Sequence, residues 1–444
     1  RVNYNDAISY LYGLRKFGIK LGLDNTTRLL SILGEPHNKF RTIHVAGTNG
    51  KGSTSAMIAS MLQAHGYRVG LFTSPHLVSF TERIRINKRE IKESEVINLT
   101  SEIKALIEIL GTDISPTFFE FITVMALLHF SRKNVDWAVI ETGMGGRLDS
   151  TNVITPDVTV ITKIGLDHKE FLGSTLRAIA IEKAGIIKEG IPVITSSQEK
   201  DALEVIVSRA AEMNSDIHIY GKNFRSTLKK MDIEGIEFDY YGKESFKNLF
   251  IPLTGKHQLE NASVSIRTVE TVLGIDMSVA SIKRGLSNTR WPGRLELIKR
   301  QTEPFDILLD GAHNPAAAEA LRDALSMCYK DRYERIILIL GIMADKEIKG
   351  IMAPILPLSS YTIFTAPDYN RAASPEMLLD IALKDGYAGE SSPTVKESIT
   401  KAISLASIHS GRTLIVITGS FYTIGEALEH LGRKGVLTRL RESR

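Results

Sequence analysis

The stretch Thr42-Ile43-His44-Val45-Ala46-Gly47-Thr48-Asn49-Gly50-Lys51-Gly52-Ser53 decides the fold. Its first five residues read as a buried strand, and residues 53–65 place apolar side chains at helical spacing. Between them lie three glycines and a lysine. A strand, a glycine-rich turn and a helix in that order make a phosphate-binding loop. Backbone N–H groups at the helix N-terminus face the anion, and Lys51 adds a point charge. The usual spacing sets a glycine six residues before the lysine and Ser or Thr directly after it. Here Val45 takes the first position, the glycine is Gly47, and Gly52 separates Lys51 from Ser53. A plain strand–helix turn with a surface lysine would not need glycine at 47, 50 and 52 together.

On either side of the loop, short β-rich runs alternate with helix-period segments. Strands are predicted at 41–46, 68–73, 136–141, 158–162 and 192–195, and helices at 53–65, 93–110, 117–132 and 174–188. That order predicts an α/β fold, a doubly wound and mostly parallel sheet with helices on both faces. Residues 217–250 alternate polar and apolar side chains between glycines and predict a small antiparallel β element. Helices at 257–273 and 279–287 follow. Trp291-Pro292-Gly293-Arg294 then interrupts the helical pattern and marks a domain boundary, giving 1–293 and 294–444. The second part restarts the alternation, with strands at 306–309, 335–340, 361–364 and 413–418 and helices at 315–326, 375–383 and 398–408. It predicts a smaller, Rossmann-like α/β domain.

The chain's 444 residues exceed the usual single-domain size, and 43% hydrophobic with 24% charged residues is ordinary for a globular protein. A formal charge of +4 is too small at this length to argue for a nucleic-acid partner, and none is expected; it is compatible with anionic small molecules. The single cysteine, Cys328, excludes an internal disulfide framework and fits a reducing compartment. The most apolar helical stretch, residues 118–130, contains Glu120 and His129 and is too short to span a bilayer. A cytoplasmic enzyme without a membrane partner is expected.

In a doubly wound sheet, ligands collect beyond the C-terminal ends of the strands. Three of those ends carry groups suited to magnesium, which takes oxygen ligands and bridges ATP phosphates. The strand at 68–73 runs into Ser74-Pro75-His76, the strand at 136–141 delivers Glu141, and the strand at 158–162 leads to Gly165-Leu166-Asp167-His168. Singly, Ser74 could be a cap, Glu141 a solvated carboxylate and His168 a helix-entry residue. Their arrival at one sheet edge favours a site. Lys183 shares an apolar helical stripe with Leu176, Ala180 and Ile187. Such a lysine either snorkels outward or is held inward with a lowered pKa, and the pattern alone favours snorkelling.

Several runs together resemble the folylpolyglutamate synthase/dihydrofolate synthase family of the Mur ligase superfamily. They are residues 45–53, Thr73-Ser74-Pro75-His76-Leu77, Glu141-Thr142-Gly143-Met144-Gly145-Gly146-Arg147-Leu148-Asp149 and Ile164-Gly165-Leu166-Asp167-His168. Glu182-Lys183-Ala184-Gly185-Ile186, His257-Gln258-Leu259-Glu260-Asn261-Ala262, Asp310-Gly311-Ala312-His313-Asn314-Pro315 and residues 419–426 complete them. One stretch departs: Asp368-Tyr369-Asn370-Arg371-Ala372 keeps an arginine without the proline that often precedes it.

The resemblance implies an ATP-binding Mur-ligase-type domain over 1–293 and a glutamate-ligase domain over 294–444. It implies that Thr48, Asn49, Gly50, Lys51, Gly52 and Ser53 hold the ATP phosphates, with Asn261, Arg294, Asp310 and His313 also contacting ATP. Ser74, Glu141, His168 and Lys183 would ligate two Mg2+ ions, Lys183 as N6-carboxylysine, with Lys51, Lys183 and His168 catalytic. The pterin would lie against Ile19, Lys20, Leu21, Thr117, Phe118, Phe119, Glu120, Leu148, Asp149 and Ser150. Phe118 and Phe119 could stack on a flat ring, while Glu120 in an apolar helix needs a hydrogen-bond partner.

The implied reaction is ATP-dependent acyl transfer. A carboxylate of a reduced folate or of dihydropteroate takes the γ-phosphoryl group, and L-glutamate then displaces phosphate from the acyl phosphate. A monomer is expected. Cell-wall Mur ligases place a UDP-binding domain before the loop, and only 46 residues precede Gly47 here. A P-loop NTPase or binding module without ligase chemistry would need neither Lys183 nor a second domain bearing Asp310 and His313.

Overall fold

The computed structural model describes residues 3–18, 22–111 and 114–432. Its strands, in chain order, are β1 Arg41–Ala46, β2 Val69–Phe72, β3 Ile84–Ile86, β4 Arg89–Glu90, β5 Trp137–Glu141 and β6 Val158–Ile161. Next come β7 Val193–Thr195, β8 Ile217–Ile219, β9 Arg225–Asp232, β10 Gly235–Tyr241 and β11 Ser245–Ile251. The last are β12 Glu296–Ile298, β13 Phe305–Leu309, β14 Arg335–Leu340, β15 Tyr361–Phe364, β16 Gly389–Ser391 and β17 Thr413–Thr418. Three sheets result. The largest runs β4-β3-β2-β5-β1-β6-β7-β8, parallel from β2 to β8, with β3 and β4 antiparallel at one edge.

β1 lies between β5 and β6. From β1 the chain crosses to β2 on one side and later returns to β6 on the other. That reversal opens a crevice beyond the C-terminal end of β1, where the phosphate loop begins. Strands β1, β5 and β6 are almost wholly buried, as a parallel sheet covered on both faces requires. The helix Phe118–Arg132 packs on one face and brings Phe121, Ile122 and Phe130 into the core. The helices Lys51–Ala64 and Lys256–Leu273 cover the other. Each fully buried side chain of this size stabilises the fold by about 1.5–3 kcal/mol.

The antiparallel β element expected over 217–250 is present as β11-β10-β9, with one difference. Residues 217–219 form β8, which pairs parallel with β7 and extends the main sheet. The second α/β sheet runs β12-β13-β17-β14-β15-β16, parallel except for β12. The helix predicted over 174–188 is shorter, Leu176–Ala184, and ends at Gly185. Among the described residues, no helix is long and apolar enough to cross a membrane.

Candidate active site

The loop after β1 is held from below. Gly47 has φ 151°, and a Cβ there would lie 1.9 Å from the Thr162 hydroxyl, so no other residue fits. The N–H groups of Thr48 and Asn49 both donate to the Lys163 carbonyl, at 3.0 and 3.1 Å. The Thr48 hydroxyl donates to the Gly165 carbonyl and accepts from the Gly165 N–H, each at 3.0 Å. The first half of the loop is thus tied to the turn that follows β6. The helix starts at Lys51 with Gly50 as its cap, and the first in-helix bond runs from the Thr54 N–H to the Gly50 carbonyl. The N–H groups of Lys51, Gly52 and Ser53 precede it, so they are left without in-helix acceptors, and these three residues line the crevice.

Two lysines converge on one carbonyl. Lys51 Nζ donates to the Gly47 oxygen at 3.0 Å, and Lys183 Nζ donates to the same oxygen at 2.7 Å. Lys183 is only 4% exposed, so it is held inward and the snorkelling expectation fails. The helix pattern could not show this, because the accepting carbonyl lies 136 residues away. Burial pulls the Lys183 amine down to about 7, and the Lys51 charge pushes the same way.

Glu141 ends β5 with its side chain buried, and its Oε2 accepts the Ser74 N–H at 3.2 Å. Burial pushes its carboxyl up to about 7 against the opposing pull of Lys51. His168 sits in the left-handed backbone region at φ 50°, a strained position of the kind found at functional sites. Ser74, Glu141, His168 and Lys183 all line the crevice with the phosphate loop. Beside them, Asp167 meets Lys346 Nζ at 2.6 Å and His313 Nε2 at 3.5 Å. Burial would raise its carboxyl, but the His313 hydrogen bond and the charges of His168, His313 and Lys346 hold it well below the usual range.

The second sheet closes the other wall. Asp310 follows β13, and its carboxylate accepts the Leu295 and Ala312 N–H groups at 3.0 and 2.9 Å. The Arg294 guanidinium lies 4.5 Å from the centre of the Phe421 ring, and His313 Nδ1 donates to the Gly311 carbonyl of its own turn at 2.8 Å. Asn261 donates to Gln258, and Gln258 donates to the Ser53 hydroxyl at 3.2 Å. Gln258, Asp167 and Lys346 received no role from the sequence. Gln258 carried two signals, its place in the run 257–262 and its position three residues before Asn261 on a helix.

The unusual Gly52 has a partner. A Cβ there would come within 2.8 Å of the Trp291 indole, so the glycine seats the connection between the two sheets against the phosphate loop. Gly52→Val is therefore expected to displace Trp291, raising the KM for ATP and costing about 1–3 kcal/mol in urea unfolding. An unchanged KM and midpoint would show that this seat is dispensable.

Of the residues expected near a pterin, Ile19, Lys20 and Leu21 lie outside the described residues. None of the others lines the phosphate crevice; they cluster beside it. The Glu120 carboxylate accepts the Thr117 N–H at 2.7 Å and the Glu120 N–H meets the Thr117 hydroxyl, a capping box that supplies the partner Glu120 needs. Phe118 is a core residue, with the Arg15 guanidinium 4.4 Å from its ring centre. Phe119 is half-buried with its ring over Gly143, just beyond Glu141. Asp149 accepts the N–H groups of Gly143 and Met144, both at 2.9 Å, and shapes that turn. Ser150 bonds Thr123, and Leu148 is partly buried.

The Mur ligase middle-domain model matches residues 45–269, and the Mur ligase glutamate ligase domain model matches 293–421. The dihydrofolate synthase/folylpolyglutamate synthase of Bacillus subtilis is 37% identical over 438 residues, covering 96% of this chain and 99% of that one. The chain belongs to the folylpolyglutamate synthase/dihydrofolate synthase family of Mur ligases. As a member of that family it is an ATP-dependent ligase. The folylpolyglutamate synthase of Mycobacterium tuberculosis, complexed with ADP and AMPPCP, superposes with a TM-score of 0.90 at 30% identity, over 98% of this chain and 100% of that one. Escherichia coli FolC in complex with DHPP and ADP gives 0.86 at 30% identity, over 97% and 98%. Family and fold class are those that the motifs and the strand–helix order led us to expect.

Proposed function

We propose that this ligase joins L-glutamate to the carboxylate of a folate-type acceptor through an acyl phosphate, using the crevice between the two sheets. The observation that carries the reading is one crevice lined by the helix N-terminus at Lys51, by buried Glu141 and Lys183, and by Arg294, Asp310 and His313 of the second sheet. The two working units are taken as 1–293 and 294–444. The N–H groups of Lys51, Gly52 and Ser53 hold the β- and γ-phosphates, with the Lys51 ammonium at the γ-phosphoryl group. The Gln258–Asn261 pair and Arg294 position the rest of the nucleotide. The acceptor carboxylate attacks the γ-phosphorus, ADP leaves, and the amino group of L-glutamate then attacks the acyl carbon with loss of phosphate. The half-buried Phe119, at the edge of the Glu141 turn, flanks the acceptor's path, and the dihydrofolate synthase/folylpolyglutamate synthase activity named for the Bacillus subtilis relative supports a folate-type acceptor.

The donor set fits Mg2+. Glu141 offers a buried carboxylate, and Ser74 and His168 offer an oxygen and a nitrogen. Among the described residues, no three His, Cys, Asp or Glu side chains gather to hold a metal alone, which suits a cation completed by phosphate oxygens. Ser74, Glu141, His168 and Lys183 are the residues that would hold two such ions; when bound, these supply charge neutralisation at the phosphates. Lys183 is suited to carboxylation. A buried neutral amine adds to carbon dioxide, forming an N–C bond and releasing a proton, and so becomes an oxygen ligand. The reading requires no nucleic acid, membrane or second copy; we take the enzyme as a cytoplasmic monomer.

The acceptor is decided by offering dihydropteroate and tetrahydrofolate separately to the purified protein with ATP and L-glutamate. The expected result is a glutamyl amide from at least one. Failure with both would remove the folate reading.

A further inference from the structure

We propose that Asn314 is a positioning residue that latches the second α/β unit onto the phosphate loop through Asn49. The two side-chain amides form a reciprocal pair. Asn49 Nδ2 donates to Asn314 Oδ1 at 3.3 Å, and Asn314 Nδ2 donates to Asn49 Oδ1 at 2.9 Å. The partners are 265 residues apart in sequence, and Asn314 is 3% exposed. Asn314 Oδ1 also accepts the Ala317 N–H at 2.9 Å and so caps the helix Pro315–Ala324, whose Ala316, Ala317 and Ala320 line the crevice. Asn49, for its part, donates its backbone N–H to Lys163. One amide pair therefore joins the loop under the phosphates to the helix that forms the opposite wall. The Asn49 side chain, which the resemblance places at the ATP phosphates, makes this pair across the crevice. The Asp167–Lys346 ion pair also crosses the crevice, but it does not touch the loop.

A reciprocal amide pair fixes both distance and orientation, because each side must both donate and accept. When it is made, the second unit sits over the loop and shields the acyl phosphate. When it is lost, water competes with glutamate for the acyl carbon, regenerating the acceptor carboxylate and releasing phosphate. This inference rests on the acyl-phosphate reading above.

The test separates capping from latching. Asn314→Asp keeps an oxygen for the Ala317 N–H and remains a good cap, but it removes the donor to Asn49. Asn49→Ala removes the same pair from the other side without touching the helix. Both variants and their combination are assayed for ADP formed per amide formed, for kcat and the KM for ATP, and for the urea midpoint. Each single variant should raise the ADP-to-amide ratio about twofold or more and lower kcat for amide about 10-fold, with little change in the KM for ATP. The double variant should be no worse than the worse single one. The latch is overturned if the ratio stays at one in both single variants, if their effects multiply, or if Asn49→Ala alone raises the KM for ATP, as a phosphate ligand would. A wild-type enzyme that makes ADP without amide would instead sink the acyl-phosphate reading itself. Should Asn314→Asp fail to fold, Asn49→Ala decides alone.

Discussion

Lys183→Ala is expected to lower kcat by about 10²–10³-fold, the size of effect seen when a group that stabilises developing charge is removed. The side chain is buried, it reaches the Gly47 carbonyl at 2.7 Å, and it shares that oxygen with Lys51. Two cations on one carbonyl are unfavourable unless one gives up its proton or is converted to an anion. The sign of the pH dependence follows. With the folded-state amine near 7 instead of 10.5, it is protonated below about pH 7 and cannot add to carbon dioxide; above that it is neutral and can. Above about pH 7, wild-type activity should therefore fall on carbon dioxide depletion and return with bicarbonate, and the return should weaken as pH drops through 7. Lys183→Ala should be indifferent to bicarbonate. Full activity of that variant, or a wild type unmoved by carbon dioxide depletion, would remove the carboxylated lysine.

Lys51→Gln is the second large effect. It removes the ammonium carried by the first residue of the phosphate-loop helix, and kcat/KM should fall about 10²–10³-fold. It should also act on its neighbours. Lys51 helps lower the Lys183 amine and opposes the upward push of burial on Glu141. Without it both groups should titrate at higher pH, so the residual activity should need a more alkaline buffer than the wild type. A pH profile shifted to the acid side, or an unchanged kcat/KM, would contradict the placement of Lys51.

Much of this was legible in the sequence because it is local. A strand, three glycines and a lysine before a helix can be read without tertiary information, and so can Glu141 at the end of an apolar run. Thr117 and Glu120 carried a capping-box spacing, so the partner of Glu120 could have been found from sequence. The helix Lys200–Glu212 is an addition to the expected set, with Ala202, Val205, Ile206 and Ala210 on one buried face. The helix Ile348–Ile355 was hidden by Pro354, which sits in its last turn. What could not be read is long-range. The inward turn of Lys183 depends on a carbonyl 136 residues away, the Asn49–Asn314 pair spans 265, and Asp167 meets Lys346 across 179. Helix periodicity sees a stripe; it does not see what faces the stripe. The spacing of the loop shows the same limit: Gly52 departs from the usual pattern, and its partner Trp291 lies 239 residues on.

The central claim is that this crevice couples ATP cleavage to amide formation. Purified protein is incubated with ATP and Mg2+, with L-glutamate and a pterin carboxylate added singly and together, while ADP and glutamyl amide are both counted. The account predicts one ADP per amide with both substrates present, and little ADP when either is omitted. Steady ADP release without them, and no amide with them, would contradict it.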